Sequence, residues 1–186
     1  MAHDKKLTKE ILLNALGKTE DTPEVQKLFQ ILGQADIDED TDIERQIHNG
    51  KRYTYVDAKD GTFIYAWDRY GIEMHLTNED TYQPKKYPLS ETPEVDAFFL
   101  YIKPDETEGR KSCLGICEDA FFYEGMKIDD IIQKYGESQR VWQSEKKNIG
   151  RHTYYDLEGL ENTSIQFSYD LDTHEIFKTL IILVKK

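Results

Sequence analysis

Apolar residues recur at helical spacing in three stretches of the chain. Leu7, Ile11, Leu12, Ala15 and Leu16 share one helical face, with Gly17 following as a stop. Val25, Leu28, Phe29 and Leu32 form an i, i+3, i+4, i+7 stripe. Its start is marked by Thr22 as N-cap, Pro23 at the first helical position and Glu24 beside the positive end of the dipole. Gly33 can take the left-handed conformation that ends it. These two helices, joined by the turn at 18–21, are expected to pack as a hairpin. A third takes its buried face from Met126, Ile128, Ile131, Ile132 and Tyr135 and stops at Gly136.

Strand patterns fill most of the remainder. Segments 52–57 and 62–67 flank the turn signal Lys59-Asp60-Gly61 and read as a hairpin. Ile72, Met74 and Leu76 alternate with Glu73, His75 and Thr77, which predicts a strand with one wet face. Segment 95–103 follows a proline-rich loop at 81–93. Strands are also expected at 151–157, 163–170 and 176–185, with a hairpin turn from Asp170 to His174. Residues 36–44 read as an acidic linker, and 113–123 as an irregular crossover carrying Phe121 and Phe122 inward.

These elements occur in the same order twice. Leu32-Gly33 ends a helix ahead of Arg52-Tyr53-Thr54-Tyr55-Val56-Asp57, and Tyr135-Gly136 ends one ahead of Arg151-His152-Thr153-Tyr154-Tyr155-Asp156. Each half then has an alternating strand (71–76; 164–169) and closes on an apolar run (97–102; 180–184). The order suggests an α+β fold of two related modules, short helices on antiparallel sheet, spanning 1–104 and 105–186 as two units or one continuous domain. The first half is seven residues longer between its Arg-x-Thr-Tyr strand and the next alternating strand, a surplus expected to add a strand.

Charge narrows the choice of partner. With 36 Asp and Glu against 24 Lys and Arg, the net charge of −12 opposes binding to nucleic acid backbones and anionic membranes, and favours encounter with a basic protein. Acidity for solubility alone is the plainer account. The N-terminus shows no signal-peptide pattern and the longest apolar run, 180–184, is too short to span a bilayer, so a cytoplasmic location is expected. Cys113 and Cys117, spaced C-x3-C without a second pair, are expected to be reduced thiols.

A search for chemistry returns little. The run from Asp36 to Asp42 looks like a calcium loop, but Thr41 stands where the sharp turn needs glycine and Ile47 where a bidentate Glu is needed. His3, His48, His75, His152 and His174 form no metal-ligand spacing, and no nucleophile elbow or phosphate-cradling glycine loop is present. No cofactor is implied. Trp67-Asp68-Arg69-Tyr70 is the most interface-like cluster, because Trp, Arg and Tyr concentrate binding energy. Trp142 is a second candidate anchor. Either tryptophan could instead fill a gap between helix and sheet.

Pro-Glu-Val-x-x-Leu-Phe-x-x-Leu-Gly (23–33), Gly-Ile-Glu-Met (71–74) and Tyr-Glu-Gly-Met (123–126) ahead of Ile131-Ile132-x-x-Tyr-Gly resemble duplicated immunity proteins found beside bacterial polymorphic toxins. The helix-plus-sheet repeat also looks like the modules of the beta-lactamase-inhibitor protein and of the outer-membrane assembly lipoprotein SmpA. The resemblance implies a non-enzymatic inhibitor that occludes a cognate toxin domain, and it brings no catalytic residues with it. On this reading Asp36, Asp38, Glu39, Asp40 and Asp42 would steer the chain onto a basic toxin surface, and Trp67, Asp68 and Tyr70 would anchor it. A regulatory adaptor or a small-molecule module with a pocket between helix and sheet is the alternative. A hydrolase would need scattered acids such as Asp57 and Asp156 to converge.

Overall fold

The computed structural model describes residues 6–33, 45–48, 51–55, 61–77, 94–107, 109–117, 125–157 and 161–184; for 45–48, 51–55, 61–64 and 77 it describes the backbone. The acidic run 36–42 lies outside the described residues, as do Asp57, Phe121 and Phe122. The described chain is α+β: helices α1 (Lys9–Ala15), α2 (Pro23–Leu32) and α3 (Ile128–Tyr135), and strands β1 (Arg45–His48), β2 (Lys51–Tyr55), β3 (Gly61–Trp67), β4 (Ile72–Thr77), β5 (Glu94–Tyr101), β6 (Arg140–Ser144), β7 (Ile149–Tyr155), β8 (Thr163–Asp170) and β9 (Ile176–Leu183).

All nine strands join one sheet in the order β1-β2-β3-β4-β5-β9-β8-β7-β6, and every pair is antiparallel. Each half of the chain runs inward as a meander, and the two meet where β5 pairs with β9, Phe98 opposite Ile181 and Leu100 opposite Thr179. Hydrogen bonding therefore continues across the position 104/105. Among the described residues the first half contributes five strands and the second four.

The helices cover one face. Thr8 caps α1 by accepting from the Ile11 N–H (3.3 Å), and Pro23 opens α2 as its missing donor allows. Phe29 of α2 packs edge-on against Tyr65 (5.0 Å between centroids) and beside Trp67. Tyr135 of α3 packs against Tyr154 (6.3 Å). Beneath them Ile72, Met74, Phe98, Leu100, Ile181, Ile165 and Phe167 make the buried layer, all on the face shared by directly paired residues. At one point this layer requires a glycine: a Cβ on Gly150 would stand 2.2 Å from Tyr169 Cζ, because the Tyr169 ring crosses β7 to accept from Gln143 Nε2 at 3.1 Å.

The ends of α2 and α3 are held in the same way. Gly33 closes α2 and its carbonyl accepts from Trp67 Nε1 (3.0 Å); Gly136 closes α3 and its carbonyl accepts from the Tyr154 hydroxyl (2.8 Å). Trp67 on β3 and Tyr154 on β7 occupy the third strand out from the β5–β9 seam on either side. The six-residue likeness between 52–57 and 151–156 has a different status. Its described part falls on β2 in one half and β7 in the other, fourth and third from the seam, so these are not equivalent places.

Two strands were not expected from the sequence, β1 and β6, and both are sheet edges. In β6 the pattern Arg-Val-Trp-Gln-Ser lacks the buried alternation of an inner strand, and residues 140–143 are exposed. Among the described residues, no helix is long and apolar enough to cross a membrane.

Candidate partner-binding surface

The tetrapeptide 67–70 forms the end of β3 and a 3-10 turn into β4. Trp67 is 0% exposed, and its indole N–H is used to hold the end of α2. The indole thus fills the gap between helix and sheet, the other of the two places the sequence left open to it. Asp68 is directed inward as well, its carboxylate 3.6 Å from Arg110 Nε and its carbonyl accepting from Gly71 and Lys111 N–H. Arg69 donates to the Leu32 carbonyl (2.8 Å) and lies over the half-buried Tyr70 ring, which packs on the core. The cluster ties helix to sheet.

The opposite face of the sheet carries a different arrangement. Register places Trp142, Arg151, Ser168, Lys178 and Tyr101 directly opposite one another across β6, β7, β8, β9 and β5. At the usual spacing between strands this row is about 19 Å long. Arg151 lies 5.3 Å from the Trp142 ring and its Nε is 3.4 Å from Ser168 Oγ. Lys178 Nζ is 5.8 Å from the Tyr101 centroid and 5.6 Å from that of Phe99, and the Arg110 guanidinium stacks 3.9 Å above Tyr101. The row alongside runs Arg140, Thr153, Gln166, Leu180, Phe99, Glu73.

Glu73 is the carboxylate of these two rows, against the cations Arg140, Arg151, Lys178 and the stacked Arg110. It is already engaged: Arg110 Nη2 donates at 3.2 Å, the Tyr101 hydroxyl at 3.3 Å, and His75 Nε2 lies at 3.1 Å while its ring stacks on Phe99. Burial would raise the Glu73 pKa, but His75, Arg110 and Tyr101 together outweigh it and hold the carboxyl below its usual range. Lys178 shows the opposite case. Burial and the neighbouring Arg151 and Arg110 push its pKa down, against the pull of Glu73. Asp170 lies one step past the row, but its carboxylate is occupied by the Asp172 and Thr173 N–H groups and Asn148 Nδ2.

The exposed large apolar side chains cluster near this face's outer end: Trp142 is 44% exposed and Tyr155 39%, with Val141 of β6 at 51%. α2 and α3 pack on the other side of the sheet. Sequence reading weighed Trp142 but missed the row. A lone lysine inside the apolar strand Phe177-Lys178-Thr179, and an Arg-x-Trp in a segment lacking strand periodicity, were the signals it left.

Among the described residues, Ser138 Oγ lies 2.9 Å from His152 Nδ1, the spacing of a nucleophile and its base. The hydroxyl also lies 3.3 Å from the Arg140 carbonyl, which can only accept. With its proton there, Ser138 accepts from the ring and acts as a brace between α3 and the β6–β7 hairpin. Cys113 and Cys117 are buried and not joined in a disulfide. Among the described residues, no group of three or more His, Cys, Asp or Glu side chains could hold a metal ion.

No family model matches the chain, and no curated protein matches its sequence. Two solved structures are similar in outline. A DUF4309 family protein, YjgB, from Bacillus subtilis aligns with a TM-score of 0.43 and 9% identity over 94% of this chain and 91% of its own. An extracellular protein containing an SCP domain, from Bacillus anthracis, aligns with a TM-score of 0.41 and 12% identity over 98% of this chain; this chain spans 47% of that one.

Proposed function

We propose that this chain is a cytoplasmic, non-enzymatic binding protein that neutralises a protein partner, in the manner of an immunity protein covering a cognate toxin. The observation that carries the reading is the row from Trp142 to Tyr101 on the sheet face opposite α2 and α3. Aromatic and arginine side chains on a rigid, cross-strand platform lose little conformational freedom on binding and supply the contact types that dominate interface energies. A sheet is also a stiff support, so the side chains are held in place before the partner arrives. The resemblance to immunity proteins supplies the biological role; the face supplies a means.

The test is co-expression with the toxin domain encoded beside the gene. Growth is expected to be restored and a one-to-one complex to co-elute, with Trp142→Ala weakening both while leaving the fold intact. Absence of both protection and a complex would reject the reading.

A further inference from the structure

Lys178, half-buried near the middle of the sheet, makes no hydrogen bond or ion pair with any described residue. Arg151, one strand beyond Ser168, likewise has no carboxylate among the described residues and only a long contact with the Ser168 hydroxyl. Glu73, the carboxylate whose charge acts on Lys178, is taken up by Arg110, His75 and Tyr101. Two cations therefore stand on either side of Ser168 on a partly dehydrated surface, with no counter-charge of their own among the described residues. This is an unfavourable arrangement in isolation, because burying charge without a partner costs free energy. Depression of the Lys178 pKa, by burial first and then by Arg151, is the same cost in another form. The chain as a whole carries −12, so this local excess of positive charge runs against its average.

We propose that Lys178 and Arg151, with Ser168 between them, form a carboxylate-binding site, and that the partner segment seated across Trp142 to Tyr101 is an acidic stretch of polypeptide. A carboxylate above Ser168 would accept from both cations at once. The exposed ring of Trp142 at one end provides flat apolar area for side-chain stems and backbone, which an inorganic anion does not need, and the guanidinium stacked on Tyr101 at the other end adds a further cation. The row's length of about 19 Å matches roughly six residues of extended chain. Single-stranded nucleic acid shares the liking for cations and rings, but it stacks successive bases on successive aromatic faces, and here Trp142 is exposed while the Tyr101 ring is covered by the Arg110 guanidinium. The proposal rests on the partner-binding reading and specifies the chemistry of the segment bound.

The test uses the full chain and four probes: a hexaglutamate peptide, hexaglutamine, inorganic phosphate and a single-stranded oligonucleotide. Binding is followed by tryptophan fluorescence, to which exposed Trp142 is sensitive, and by calorimetry. Hexaglutamate is expected to bind saturably, more tightly than the other three, and to weaken about tenfold or more in Lys178→Met and in Arg151→Gln. Lys146→Gln, outside the row, should leave binding unchanged, and unaltered melting temperatures would confirm that the variants fold. Equal binding of hexaglutamine, tighter binding of phosphate or oligonucleotide, or insensitivity to both row variants would overturn the site. A toxin complex unaffected by Lys178→Met would overturn it too while leaving partner neutralisation standing; hexaglutamate binding without protection from any toxin would do the reverse.

Discussion

Trp67 and Trp142 carry the same side chain in opposite surroundings, and substitutions at them should separate stability from binding. Trp67 is enclosed by Phe29 and Tyr65 and hydrogen-bonded to Gly33, so Trp67→Ala is expected to cost about 3–5 kcal/mol in urea unfolding. Trp142→Ala should change stability by less than about 0.5 kcal/mol, since the ring is largely exposed. Gly150→Ala forces the Tyr169 ring from its path over β7, and a loss of about 1–3 kcal/mol is expected from the same measurement. His152 adds a dependence on pH. Burial holds its pKa below the ordinary 6.5, against the opposing pull of Glu137 and Asp129. The unfolded chain therefore takes up a proton near pH 6.5 that the folded chain refuses. Stability is full above that range and declines as the pH falls from about 6.5 towards the folded value. Melting temperatures followed from pH 8 to 5 should fall less steeply in His152→Gln than in the parent chain.

At the level of elements, the aromatic tip on each helix-closing carbonyl is the repeated device. Tyr154→Phe removes the bond to Gly136 and should cost about 0.5–1.5 kcal/mol. Amide exchange should quicken in the last turn of α3 and not in α2, whose end is held by Trp67 and Arg69. How far such elements could be read in the sequence depended on what each must bury. The α2 start at Pro23, the glycine stops, and the inner strands β4, β8 and β9 announce themselves because a face in the core admits only apolar side chains at its spacing. Edge strand β6 has no such obligation, so Arg140 to Ser144 left no periodicity to detect. The site suffered from the same blindness. Sequence ranks Trp67 above Trp142 by the neighbours Asp68, Arg69 and Tyr70, yet those neighbours turn inward to close helix on sheet. Arg151 and Lys178 meet across Ser168 only through cross-strand register, which no local pattern encodes.

On the scale of the whole molecule, the β5–β9 seam makes the halves dependent on each other. Ala97, Phe98 and Leu100 lie buried on β5, and Ile181 and Leu180 on β9. Expressed alone, residues 1–104 would present β5 as an unpaired apolar edge, and are expected to associate or aggregate in size-exclusion chromatography rather than elute as a folded monomer. The order of strands also bears on how the chain is made. Ile176 to Leu183 is the last of the described strands to leave the ribosome, yet its place is in the middle of the sheet. Until those residues emerge, the nascent protein holds two half-sheets with raw inner margins and no bond between them. Its keystone is set after the other described strands, so this sheet is expected to acquire resistance to protease only once synthesis has passed that point, in one step.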